Sequence, residues 1–170
     1  MKKKYFLALI IFIFSNIHII YAQGVIGHAL IRVFDKHIPL YDRSHKVIDT
    51  IMCSVKNDLL YSVSILKIKN NFAHINAYCF VDDVEIEKIG WIQLEYLGIN
   101  PSCNELILRK KPFNRAKSQC IIKNAEWGDL YPIKKAYKGW LYIEIYIGNK
   151  HYSGWMSPEQ QCTNPYSPCC

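Results

Sequence analysis

Besides Gly139-Trp140, Gly-Trp recurs at two matching places in this chain, at Gly90-Trp91 in "KIGWIQLEYLGI" and, 64 residues later, at Gly154-Trp155 in "HYSGWMSPEQQC". The surrounding segments repeat in the same order. "RVFDKHIPLYDRSHKVIDTIMCSV" leads into a strand-turn-strand stretch and then the first Gly-Trp. "LILRKKPFNRAKSQCIIKNAEWGDLY" leads into "PIKKAYKGWLYIEIY" and then the second. The extra residues of the first copy fall in "CFVDDVEIEK", and length differences confined to a loop are what duplicated units tolerate best. A chain that repeats itself in this way has to find the same internal partners twice.

Periodicity says what those partners are. "YSVSILKIKNNFAHINAY" alternates roughly in twos, with Val63, Ile65 and Ile68 to one side, then Phe72, Ile75 and Ala77, slipping at an Asn70-Asn71 turn. In "GWLYIEIYIGNKHYSGW", Leu141, Ile143, Ile145 and Ile147 share a face opposite Tyr142, Glu144 and Tyr146, and Gly148-Asn149 is a hairpin signal. No stretch after Gln23 carries an apolar stripe at helical spacing over three turns. The chain reads as all-β, with a boundary in "LGINPSCNEL" where polar residues and Pro101 interrupt the apolar pattern.

The first residues have the order of a secretory signal peptide: three lysines, an unbroken apolar run from Phe6 to Phe14, and a cleavage position after Ala22. That run is too short to span a bilayer, which takes roughly 18 apolar residues, so no membrane span is expected in the mature chain. The formal charge of +7 includes Lys2, Lys3 and Lys4, and falls to +4 without them. A balance of that size does not call for nucleic acid, and export argues further against it.

All seven cysteines (53, 79, 103, 120, 162, 169 and 170) lie in the mature part, where an oxidising compartment permits disulfides. The count is odd, so one thiol is left over or pairs between molecules. The local candidate is Cys162 with Cys169 or Cys170, closing "TNPYSP"; the other pairings stay open. There is no C-x-x-C and no H-x-x-x-H, so no metal site or other cofactor is expected.

The opening strand "IRVFD", the segment "SHKVIDTI", the strand-turn-strand "ILKIKNNFAHI" and the closing "GWIQLEYL" (Gly90, Trp91, Ile92, Tyr96, Leu97) together resemble a bacterial SH3-like domain. A second copy resembles it in "LILRKKP", "AKSQCII", "IKKAYKGWLYIEI" and Gly154-Trp155-Met156, and departs where Tyr-Leu is expected, offering Gln160-Gln161. The resemblance implies two small, bent, five-stranded SH3-like barrels in tandem: residues 1–22 as the signal peptide, 23–101 as the first domain, and 102–170 as the second with a cysteine-rich tail. Such modules commonly sit in exported proteins and bind peptides or wall polymers, though fold alone does not fix function.

Catalysis is not expected. A nucleophilic cysteine needs an imidazole and an orienting group, and barrel strands consume both copies. The acidic "VDDVEIEK" lacks the glycine and ligand spacing of a calcium loop, and the basic "LRKKPFNRAK" reads as a solvated face. The aromatic surplus, 12 tyrosines and four tryptophans, carries more information. Peptide-binding SH3-like barrels use a groove of exposed rings. The candidate groove residues are Phe34, Tyr41, Trp91 and Tyr96 in the first copy and Phe113, Trp127, Tyr131 and Trp155 in the second. A core-plugging role competes for Trp91 and Trp155 and is favoured for Trp140. The expected activity is non-catalytic recognition of a peptide, a cell-wall polymer fragment or an envelope protein. The alternative is a structural or inhibitor/immunity-type protein docking through the inter-domain surface or the cysteine-rich tail.

Overall fold

Antiparallel strands account for nearly all the regular structure of the computed structural model, which describes residues 24–81 and 84–169. The expected leader, Asp82, Asp83 and Cys170 lie outside the described residues. The strands are β1 (Gly27–Ile31), β2 (His37–Tyr41), β3 (Val47–Met52), β4 (Ser62–Lys69), β5 (Phe72–Val81), β6 (Val84–Gln93), β7 (Leu97–Pro101), β8 (Glu105–Arg109), β9 (Ser118–Lys123), β10 (Tyr131–Tyr137), β11 (Trp140–Ile147), β12 (Lys150–Met156) and β13 (Gln161–Cys162). Two single-turn 3-10 segments, Leu94–Tyr96 and Pro158–Gln160, precede β7 and β13. No α-helix occurs among the described residues, as the alternating apolar pattern implies.

Pairing follows one open path, β3-β2-β6-β5-β4-β1-β7-β10-β11-β12-β8-β9, with β13 added to β7. Within that path the registers recur. Ile65 faces Ile75, one residue is skipped, and Lys67 faces His74; Ile133 faces Ile143, one residue is skipped, and Lys135 faces Tyr142. Further out, His74 meets Trp91 as Tyr142 meets Trp155, and Tyr41 meets Trp91 as Arg109 meets Trp155. Even the irregularity between Leu40 and Tyr41 has its counterpart between Leu108 and Arg109.

Tight turns set these registers. Asn70 and Asn71 both adopt positive φ (48° and 61°), and so do Lys138 and Gly139 (48° and 84°). Two successive left-handed residues match the twist of the strands they join. Gly148, at φ 56°, does the same at the tip between β11 and β12. The skipped residue Leu66 is a β-bulge, and it changes which face the side chains take. Ala73, Ile75, Ala77 and Cys79 point into the core, whereas Phe72 lies on the outer face with His74 rather than sharing a face with Ile75.

β7 is the junction. Gly98 and Leu97 pair with Leu30 and Ile31 of β1; Gly98 and Ile99 pair with Pro132 and Tyr131 of β10; Asn100 and Pro101 pair with Cys162 and Gln161 of β13. All five of its residues are buried. The strand closes the first set of pairings and opens the second. A single apolar cluster accordingly runs through both halves, from Ile38, Leu40, Ile65, Ile75 and Ile92 through Leu97 and Ile99 to Leu106, Leu108, Ile133 and Ile143. Each such side chain contributes about 1.5–3 kcal/mol on burial.

Gly90 and Gly154 each lie where another strand crosses closely. A Cβ on Gly90 would stand 3.2 Å from Leu40 Cβ, and one on Gly154 would stand 2.9 Å from Leu108 Cβ. Glycine lets β6 and β12 pass there, and the tryptophan that follows is turned to the outer face.

Candidate functional site

The first Gly-Trp tryptophan stands in a solvent-open cleft of about 430 Å³, walled by the β2–β3 turn, the β4–β5 hairpin and β6. Local chemistry shapes the turn. One carboxylate oxygen of Asp42 accepts hydrogen bonds from Ser44 N–H (2.8 Å), Ser44 Oγ (2.7 Å) and Lys46 N–H (3.0 Å). Those bonds, the serine hydroxyl first, hold the Asp42 carboxyl below its usual range. His45 takes φ 63° at the tip of the turn, and its ring meets that of Phe72 edge-on at 5.1 Å. Tyr41 approaches the same Phe72 at 5.6 Å, T-shaped. His74 leans over Trp91 with ring centroids 5.2 Å apart. Three segments that are separate in sequence, 41–45, 72–74 and the strand around Trp91, thus supply one patch of rings.

Cations surround the rings. Arg43, Lys67 and Lys69 line the cleft, and no ion pair among the described residues involves any of them. Desolvation, then Arg43 and Lys67, push the His74 imidazole below its ordinary value, so its protonated form is disfavoured in the unliganded cleft. The corresponding surface of the second half keeps the Lys-ring-Trp ladder: Lys135 Nζ lies 5.4 Å from the Tyr142 ring centre, and Tyr142 meets Trp155 at 5.5 Å. There Arg109 occupies the place of Tyr41, and its guanidinium donates to the Ala116 carbonyl at 2.9 Å.

A second groove, about 400 Å³, opens at the seam between the halves. It is apolar: Leu30, Leu60 and Leu130 line it together with Phe34, Val55, Trp127 and Tyr166, which are 38%, 66%, 38% and 50% exposed. Buried Asn100 on β7 accepts from Gly128 N–H at 3.1 Å and thereby holds the Trp127 loop in place. The tail is fixed by the Cys162–Cys169 disulfide (S–S 2.06 Å) and by Asn164 Oδ1 accepting from Tyr166 N–H at 2.9 Å.

The eight aromatic candidates therefore do not form two grooves of four. Tyr41 pairs with Trp91 between β2 and β6 beside the first cleft, and Phe34 and Trp127 both line the seam groove. Trp155 stays with Tyr142, and Phe113 is half-exposed in the β8–β9 connection. Tyr96 is partly buried against the core, its carbonyl accepting from Arg32 N–H at 2.9 Å. Tyr131 is only 3% exposed, and burial pushes its phenol up to about 12, with Asp129 and Glu126 adding to the effect. Sequence reading missed His45, Lys67, Phe72 and His74. The recurrence of Lys67, His74 and Trp91 as Lys135, Tyr142 and Trp155 was the signal that could have found the last three strands of the site.

The remaining described thiols are free: Cys53 and Cys79 buried, Cys103 and Cys120 partly exposed. Desolvation first, then Cys79, pushes the Cys53 thiol up to about 12, opposite to the environment of a reactive thiolate. Burial also raises Cys79 and Cys120. Alkylation of the native protein, followed by peptide mapping, is expected to label Cys103 first, Cys120 next, and Cys53 only on unfolding; rapid native labelling of Cys53 would contradict this burial. No cluster of three metal-ligating side chains occurs among the described residues, and no helix among them is long and apolar enough to cross a membrane. Neither a protein-family model nor a curated protein matches this chain.

Proposed function

We propose that the chain is an exported, non-catalytic recognition protein of two SH3-like units that binds a peptide or a cell-wall polymer fragment through the cleft around Trp91. The observation that carries this reading is the convergence of His45, Phe72, His74 and Trp91 on one solvent-open cleft, with Tyr41 packed against Phe72. Rigid rings offer contact area at small entropic cost, and a patch assembled from distant segments is preorganised by the sheet beneath it. The SH3-like part of the reading draws on the repeated registers and on the 3-10 turn that precedes a short closing strand in each half.

The test is co-sedimentation of the mature protein with isolated wall polymer, in parallel with a peptide-array screen. Trp91→Ala is expected to weaken binding roughly thirtyfold, the effect of removing a central aromatic anchor, while circular dichroism and thermal unfolding stay near those of the parent. Equal binding by a folded Trp91→Ala protein would remove this cleft from the reading.

A second reading has its own observation. Phe34, Val55, Trp127 and Tyr166 leave apolar side chains exposed in one place, and exposed patches of that kind mark protein contacts. An envelope protein docking at this seam and tail would make the chain an inhibitor or immunity-type factor. Trp127→Ala, rather than Trp91→Ala, should then abolish association.

A further inference from the structure

We propose that the Trp91 cleft takes an anionic ligand, seating a carboxylate, phosphate or sulfonate group among Arg43, Lys67 and Lys69 while the attached apolar or ring portion lies on Phe72 and Trp91. This proposal rests on the cleft being a binding site, as argued above, and adds the chemical class of what it binds.

The charges of the cleft argue for an absent partner. Arg43, Lys67 and Lys69 converge on one concavity. The acid beside them, Asp42, has one carboxylate oxygen already engaged by three donors of its own turn, Ser44 N–H, Ser44 Oγ and Lys46 N–H. A basic run on a convex surface is solvated and carries no information. Here the cations are exposed but converge on one concavity, so their fields add at a single place. An anion placed among them would relieve their mutual repulsion. The rings add what simple counter-ions cannot use, an aromatic wall in which His45 meets Phe72 at 5.1 Å and His74 meets Trp91 at 5.2 Å.

His74 ties binding to pH. It faces Lys67 on β4 and Trp91 on β6, with Arg43, His45 and Asp42 on the turn and Lys69 on the hairpin. Its charged form is disfavoured in the free protein by desolvation, Arg43 and Lys67. An added anion favours that charged form, so binding takes up a proton and affinity rises as pH falls.

Three matched probes separate the contributions: naphthalene-2-sulfonate, whose charge does not titrate; 2-naphthol, the same rings without the charge; and inorganic sulfate, the charge without the rings. Binding is read from the indole N–H resonance of Trp91, assigned with a Trp91→Phe variant. The sulfonate is expected to bind roughly tenfold more tightly than naphthol, and more tightly than sulfate. The Lys67→Gln/Lys69→Gln double variant, altered only at exposed positions, should remove that advantage and leave naphthol binding unchanged. Sulfonate affinity should rise between about pH 8 and pH 5 in the parent and rise clearly less in His74→Gln. Equal affinity for sulfonate and naphthol, or a sulfonate advantage that survives the double variant, overturns the anionic assignment and leaves the cleft as a neutral binding site. If neither the probes, wall polymer nor array peptides move the Trp91 resonance, the cleft is not a binding site and both proposals fail together.

Discussion

Gly154→Ala is expected to be among the most damaging single-methyl additions this chain can suffer, costing about 2–6 kcal/mol, while Gly90→Ala costs about 1–2 kcal/mol. The two glycines occupy equivalent places, since Gly90 faces Ile75 as Gly154 faces Ile143. Their surroundings differ. At Gly154 an added Cβ meets Leu108 Cβ at 2.9 Å and the Arg109 carbonyl oxygen at 3.1 Å, and φ is +150°, a conformation that L side chains rarely adopt. Steric overlap and backbone strain therefore add. At Gly90 the nearest atoms are Leu40 Cβ at 3.2 Å and the Tyr41 carbonyl oxygen at 3.3 Å, so the neighbours have to give by only a few tenths of an ångström. Against a total stability of about 5–15 kcal/mol for an ordinary domain, the first change approaches global unfolding and the second does not. Urea unfolding monitored by tryptophan fluorescence distinguishes them. A Gly154→Ala protein within about 0.5 kcal/mol of the parent, or a Gly90→Ala protein less stable than it, would show that the crossing of β8 and β12 is looser than described.

These glycines also show how far the sequence could be read. The second Gly-Trp was visible, and so were the order of segments around it, the all-strand character, the turns at Asn70-Asn71 and Gly148-Asn149, and the closing of the tail by Cys162 and Cys169. All are local signals: a period of two, a residue pair tolerant of positive φ, two cysteines seven apart. The assignment of side chains to faces was less secure. Grouping Phe72 with Ile75 breaks strict alternation, since their separation is odd, and on β4 the bulge at Leu66 shifts the pattern by one residue. A bulge leaves little compositional trace, because any residue can be the one skipped. The site inherits that blindness: Phe72 and His74 reach the cleft only because they lie on the outer face of β5.

Tyr131 illustrates the other limit. Its sequence neighbourhood, "EWGDLYPI", reads as a loop entering a strand, a reasonable place for an exposed ring. Its burial comes from β7, which pairs Ile99 with Tyr131 across the seam. Likewise Phe34 and Trp127 are far apart in the chain and line one groove because β7 pairs with strands of both halves. No window of sequence contains that information. Contacts of this kind depend on which strand each half borrows from the other.

That borrowing leads to the second large expected effect, which concerns fragments. A cut after Pro101 leaves residues 24–101 with every partner of β1 through β6, and with β7 still paired to β1. The complementary fragment, 102–170, loses β7 altogether. Tyr131 and Pro132 of β10 then have no neighbour on that edge, Gln161 and Cys162 of β13 have no strand to pair with, and the fully buried Leu97 and Ile99 are gone from the core. Two such side chains alone are worth about 3–6 kcal/mol, a large share of what a unit of this size can muster. The expected result is that 24–101 unfolds cooperatively at reduced stability, 102–170 shows no cooperative transition, and 97–170, which regains β7, recovers one. Urea titrations followed by circular dichroism test all three. A cooperative transition of 102–170 matching that of 97–170 would mean that β7 belongs to the first half alone. In the intact chain the same coupling requires Ile99→Ala to lower one shared transition by about 2–5 kcal/mol, because the strand that closes one set of pairings is the strand on which the other set begins.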